Sequence, residues 1–407
     1  MSRRGFTLIE LLIVIGVIGL LMAIALPAFQ MMQAQGRRTQ CLTNLRELGG
    51  ALIQYQTQHK VFPPALINPG SFCAGGSCPD PPPARIAPVL DAAQFPAGAK
   101  NVTLNRTGWT LILPFIEQGN LYSRYNFDLA SGPSSFNSGA QWPVATNGSL
   151  GSSSFCGENA TVVGFRLDVF VCPSDGSPWE GTYDAFSNGP FSRSNAAPGN
   201  YVFSTGEYDE RANTYGYYAD PQKRLWARNL NPGTSFPPLG AFGVNGAARA
   251  PFPDGESKTI LIGEALRKKE PFPASGGNPV HQELANAGGF WGAGVYRSVT
   301  AQVYPIDALE AANDPDDPRA KRYADLYQDV NPLHYQINSK GVGGKYPPPG
   351  VFSSGHGGGA NFIFADGNGK FLSDSIDLRV LYKLVTVDAA EWPIWKGQRK
   401  KEFVEVP

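Results

Sequence analysis

MSRRGFTLIELLIVIGVIGLLMAIALPAF, residues Met1 to Phe29, decides the reading of this chain. From Phe6 to Leu26 the only polar side chains are Thr7 and Glu10. A helix rises about 1.5 Å per residue, so roughly 20 such residues cross a hydrocarbon core about 30 Å thick. A helix buried in a soluble core normally keeps a polar face, and this one has none. A secretory signal is cut behind its apolar run, at small residues. Here the charged head is only Arg3 and Arg4, and Gly5 stands in front of the run. Residues 6–27 therefore read as a single transmembrane helix.

Glu10 sits within that apolar segment, where an ionised carboxylate is costly unless it is paired. Two solutions exist. The side chain can reach toward the interface, or it can meet a positive charge at the same membrane depth. Arg3 and Arg4 favour the start of the chain staying inside. Arg37 and Arg38 follow the span on the other side and nearly balance them.

The string RRGFTLIE resembles the prepilin cleavage and methylation motif of type IV pilins and type II secretion pseudopilins. The resemblance implies a leader, residues 1–5, removed after Gly5 by a prepilin peptidase. It implies a mature chain that begins at Phe6 and carries a methyl group on that amine. It also gives Glu10 a role in subunit assembly, pairing with the Phe6 amine of a neighbouring pilin-like subunit. The implied location is the inner membrane, single-pass, with the C-terminal domain periplasmic or on the cell surface.

Outward from the span, Pro27 is expected to kink the helix. Cys41, Leu45, Leu48, Leu52 and Tyr55 then recur at steps of one helical face, so residues 28–60 read as an amphipathic continuation. Gly49 and Gly50 weaken it, and Pro63 and Pro64 end it. The remainder, 61–407, reads as one extracytoplasmic globular domain with long loops. Residues 68–84 and 131–160 are rich in Pro, Gly, Ser and Asn and read as loops. Gly108–Tyr122 reads as a short, partly buried helix. Val162–Cys172, Asn200–Ser204 and Lys258–Glu264 read as strands, the last after the turn Pro253-Asp254-Gly255. The clearest hairpin is Asn361–Asp374: Phe362 and Phe364 share a face, and Asp366-Gly367 begins the turn. The fold class is α+β and pilin-like, with a long N-terminal helix packed on an antiparallel sheet.

Composition narrows the function. The 407 residues hold 34 Lys plus Arg and 34 Asp plus Glu. That balance gives no basic surface for nucleic acid, so no nucleic-acid partner is expected. Gly and Pro number 47 and 35, but they lie among aromatic residues, which argues for a loop-rich folded domain.

Several segments together resemble the DUF1559 proteins, a large bacterial family regarded as pilin-like and also labelled solute-binding. They are CLTNLRELGGALIQYQTQHKVFPPA, LPFIEQGNLY, VFVCPSDGSP, GNYVFSTGE, FPDGESKTILIGE, WGAGVYRS and HGGGANFIFADG. In the last, His356 precedes Asp366-Gly367 in the family's His-x9-Asp-Gly pattern. The resemblance spans essentially the whole chain.

Chemistry is sparse. No nucleophile elbow, zinc-protease helix or Walker loop is present. GHGGGA, Gly355–Ala360, leads into a strand rather than from a strand into a helix, so it does not read as a dinucleotide site. His59, His281, His334 and His356 show no metal-ligand spacing. His356 is expected to meet Asp366 and to tie its loop to the hairpin. That pair has no nucleophile, so no enzyme and no cofactor are expected. Asp314, Asp316 and Asp317 lie in NDPDDP, a solvated acidic loop and at most a weak calcium candidate. Of the five cysteines, Cys73 and Cys78 are close enough in sequence to bridge. Cys172 has two candidate partners, Cys156 and Cys41. The leading reading is a structural or interaction protein tied to type II secretion or pilus-type assembly. Its rival is a tethered glycan- or solute-binding module using Trp226, Trp291 and Trp392.

Overall fold

A computed structural model describes residues 8–67, 106–127, 129, 131, 158–176, 182–183, 193–194, 197–207, 240–243, 246–247, 252–267, 289, 291–292, 299–303, 335–339 and 350–387. Gly5, Phe6, Cys73, Cys78, Cys156, Trp226, His281, Asp314, Asp316, Asp317, His334 and Trp392 lie outside the described residues.

Helix α1 (Leu8–His59) is 52 residues long and includes Pro27. At 1.5 Å per residue it spans about 78 Å. Its two halves have different surroundings. Every residue from Leu8 to Arg37 is exposed, including the apolar Leu8, Ile13, Leu20, Ile24 and Phe29. From Arg38 onward the helix meets the domain. The Arg38 guanidinium lies 3.4 Å from the centre of the Phe371 ring, a cation–π contact. Cys41, Leu45, Leu48 and Leu52 are then wholly buried, because their spacing puts them on one face. Lys60 takes a left-handed conformation, φ 62°, and Pro63 and Pro64 keep the helix from continuing.

The segment read as one short helix is two. A 3-10 helix (Gly108–Ile116) and α2 (Gly119–Arg124) are separated by Glu117 at φ 60°. The segment Val162–Cys172 is not a strand. It holds the end of α3 (Asn159–Val163) and a 3-10 turn (Asp168–Phe170). The Asn159 side chain bonds both the N–H and the C=O of Asn126, each at 2.7 Å. That anchors α3 beside the end of α2, and Val162 and Val163 pack into the core as helical residues.

Among the described residues, five strands form the main sheet: β1 (Tyr201–Glu207), β2 (Ile260–Glu264), β3 (Thr300–Val303), β4 (Gly359–Phe364) and β5 (Gly369–Ser373), in the spatial order β5-β4-β2-β1-β3. The pairs are antiparallel except β1 with β3, which is parallel. The expectation of an antiparallel sheet therefore holds except at this edge. All six residues of β4 and all five of β2 are buried. Strands covered on both faces read as apolar runs, here ILIGE and NFIF.

Helix α4 (Leu378–Val385) begins where Asp377 accepts the Arg379 N–H at 2.7 Å, an N-cap. Phe362 and Phe364 point to one face and pack with Val202, Ile260, Leu381 and Leu384. Ile363 points to the other, into the cluster of Leu45, Leu48, Trp109 and Phe203. The order of layers is α1, sheet, α4.

Candidate functional site: a buried disulfide beside His356 and Glu264

Cys41 on α1 and Cys172, just after the turn Asp168–Phe170, form a disulfide with Cα atoms 5.2 Å apart. Of the two candidate partners of Cys172, the structure takes Cys41. One turn along α1, Asn44 donates to the Val171 carbonyl at 3.1 Å. The Tyr201 hydroxyl donates to the Cys41 carbonyl at 3.4 Å. Burial, with the nearby Glu264 adding to it, pushes the Tyr201 phenol far above its ordinary range, so it remains a neutral donor.

His356 lies against this disulfide. Its Nε2 is 3.3 Å from Glu264 Oε1 and 3.7 Å from Cys172 Sγ, and Glu264 Oε1 is 3.9 Å from the same sulfur. The His356 and Glu264 side chains are 5% and 2% exposed. The ring edge that carries Nε2 thus faces both the carboxylate and the sulfur. Glu264 ends β2 directly across from Tyr201 on β1. Asn361, on β4, holds it twice: its backbone N–H donates to Oε2 at 2.8 Å and its Nδ2 to Oε1 at 3.0 Å.

His356 does not meet Asp366. They flank opposite ends of β4, and an extended strand of that length separates its ends by about 20 Å. Asp366 instead organises its own exposed turn. Its carboxylate accepts the Asn368 N–H at 2.9 Å and the Asn368 side-chain amide at 2.8 Å. Gly367 supplies the left-handed φ of 83° that such turns favour. The loop carrying His356 is drawn toward Cys172 by close backbone packing: a Cβ on Gly355 would collide with the Ser174 carbonyl.

A second buried pair flanks the cluster. The Arg267 Nε donates to Asp175 Oδ2 at 3.0 Å, and its backbone N–H reaches the same oxygen at 3.1 Å. Asn200 bridges the two groups. Its Oδ1 accepts the Cys172 N–H at 3.0 Å, and its Nδ2 donates to the Ala265 carbonyl at 3.2 Å and to Asp175.

Sulfur, imidazole and carboxylate thus converge from α1, from the segment after the turn, from β2 and from the loop before β4. Their ligand-type atoms all lie within 4.8 Å of one another, and all four residues are buried. Such a cluster can store a redox bond, hold an internal hydrogen bond or offer metal donors; burial keeps a bulky substrate out. Sequence reasoning missed Glu264. The available signal was one acidic residue closing the apolar run ILIG. Trp291, singled out as a possible ligand platform, is fully buried and stacked on Phe170, centroids 5.5 Å apart.

A family profile described as "Protein of unknown function (DUF1559)" matches residues 30–379. Another, described as "Prokaryotic N-terminal methylation motif", matches residues 1–26. The type IV major pilin protein PilA of Myxococcus xanthus is 53% identical over 46 residues, covering 11% of this chain and 21% of that protein. PilE of Neisseria gonorrhoeae is 38% identical over 61 residues, 15% of this chain and 36% of its own. The fimbrial protein EcpC of Eikenella corrodens is 43% identical over 61 residues, 15% and 40% respectively. The chain therefore spans only 21% to 40% of the length of these curated relatives, in the N-terminal region. No solved structure matches it.

Proposed function

The chain belongs to the DUF1559 family and has a pilin-like N-terminus, and from that premise we propose that it is a pseudopilin-type structural or interaction protein. On this reading a prepilin peptidase cuts after Gly5 and the Phe6 amine is methylated. The helix anchors the protein in the inner membrane, its domain stands on the periplasmic or cell-surface side, and it serves a type II secretion or pilus-type assembly. It is not an enzyme; the buried cluster is structural.

The division of α1 supports this best. One half is exposed, with an unbroken apolar run from Leu11 to Phe29, and the other buries one face against the domain. An apolar helix without a polar face is stable only in lipid or against other such helices. Glu10 then sets the relative height of subunits by pairing with a neighbour's Phe6 amine. The binding-module reading loses Trp291, which is packed inside the core.

N-terminal peptide mass spectrometry tests the processing: the expected peptide starts at Phe6 with one added methyl group. A peptide that keeps Met1–Gly5 in most molecules sinks the prepilin reading. For assembly, Glu10→Ala should leave membrane insertion intact while crosslinks within the apolar helix fall. Unchanged crosslinking would remove Glu10 from assembly. Shearing the cells separates filament subunits from single anchored copies.

A further inference from the structure

The atoms around the Cys41–Cys172 bond are spaced like the corners of a metal site. A tetrahedral zinc ion holds imidazole nitrogen and carboxylate oxygen at about 2.0–2.2 Å and thiolate sulfur at about 2.3 Å, so its ligand atoms stand roughly 3.3–3.8 Å from one another. Here the nitrogen–oxygen edge is 3.3 Å, the sulfur–nitrogen edge 3.7 Å and the sulfur–oxygen edge 3.9 Å. The Cys41 sulfur lies within 4.8 Å of the same nitrogen and oxygen, and its distance to the Cys172 sulfur is that of a bond.

We propose that, when Cys41 and Cys172 are thiols, they bind a divalent zinc-class ion together with Glu264 and His356. The donor set selects the metal. Two thiolates and an imidazole suit zinc and related borderline ions, whereas calcium and magnesium take oxygen. Binding needs no electron transfer. Each thiol gives up a proton as its sulfur joins the metal, and His356 binds as the neutral imidazole with its ring proton on Nδ1, so that Nε2 offers a lone pair. The disulfide is the alternative fate of the same sulfurs. It forms when the two thiols lose two electrons and two protons to a disulfide donor, and a dithiol reverses it. One cluster thus has two exclusive states, a metal thiolate and a disulfide.

Supporting bonds are in place for either state. Metal ligands are oriented by hydrogen bonds from the layer behind them. Asn361 fixes the Glu264 carboxylate with two donors, and Asn200 accepts the Cys172 N–H. Each ligand stands on a different buried element, so bringing them together requires the folded sheet. No local Cys-x-x-Cys spacing betrays the site, since residues 41, 172, 264 and 356 are scattered along the chain.

The test uses the full chain in detergent, with Cys73, Cys78 and Cys156 changed to serine so that two sulfurs remain. Reduced with a phosphine and titrated with cobalt(II), it should bind one cobalt per chain, with thiolate-to-cobalt charge-transfer absorption and tetrahedral visible bands that zinc abolishes. After oxidation by a disulfide donor the same chain should show neither. Glu264→Gln and His356→Gln should each weaken cobalt binding by more than about tenfold. Each is first shown, by alkylation and mass measurement, to close the Cys41–Cys172 bond on oxidation, so that lost cobalt is not lost fold; either variant suffices. A reduced chain without thiolate–cobalt absorption overturns the proposal. So does undiminished binding in the substituted chain.

Discussion

His356 and Asp366 flank β4, and the strand between them keeps their side chains apart. The carboxylate that His356 meets comes instead from Glu264 on the neighbouring strand, 3.3 Å away. Mutants should report this difference in their additivity. Contacting residues couple, whereas sites more than about 7–10 Å apart add within about 0.3–0.5 kcal/mol. His356→Ala should cost about 1–3 kcal/mol, the usual penalty when a buried polar partner is lost. Asp366→Ala should cost less, since its turn is exposed. Denaturant unfolding should show that His356→Ala with Asp366→Ala equals the sum of the singles. The double change of His356 and Glu264 to alanine should fall clearly short of its sum. The sequence singled out the histidine but paired it with Asp366, where the structure pairs it with Glu264. Local pattern reports what lies along a strand, and Glu264 approaches across the sheet.

At the scale of elements, α1 was the most legible, because a helical stripe and an unbroken apolar run are both local signals. The segment Val162–Cys172 was misread because its β-branched residues lie at the end of α3 and around a 3-10 turn, and α3 is anchored from outside the segment by Asn159, which accepts one hydrogen bond from Asn126 and donates another to it. The hairpin was legible down to its turn, since Gly367 and the alternation around Phe362 are written in adjacent residues. Gly49 and Gly50 looked alike in sequence as helix-weakening residues, and the packing separates them. A Cβ on Gly49 would stand 2.5 Å from Ile363 Cγ2 on β4, while one on Gly50 would meet nothing within 4 Å. Alanine gains about 0.5–1 kcal/mol over glycine within a helix. Gly50→Ala should therefore stabilise by about that amount. Gly49→Ala should destabilise, because forcing a methyl into a tight helix–sheet contact costs typically 1–3 kcal/mol and exceeds the propensity gain. Opposite shifts in the denaturant midpoint are the expected result. A shared sign would mean that α1 can slide on the sheet.

Across the whole molecule, α1 changes surroundings at a narrow junction. Arg38 stacks on Phe371, Cys41 is bonded to Cys172 and Asn44 bonds to the Val171 carbonyl, all within two turns of helix. Any pull on the exposed half reaches the domain first through these contacts, and the covalent bond among them keeps the helix from peeling off the sheet. Residues Leu8 to Met32, in contrast, are all exposed, so the domain draws no packing energy from them. A chain beginning at Gln33 should then lose its membrane and detergent partitioning while keeping the fold. Removing contacts worth less than ~1 kcal/mol shifts a melting temperature by under about 2–4 °C in a domain of this size. The shortened and full chains, compared in the same detergent, should melt within that interval, and both should retain the Cys41–Cys172 bond by alkylation and mass measurement. A larger drop for the shortened chain would mean that the apolar half of α1 folds back on the domain, and the division of the helix into an anchor and a packed half would be wrong.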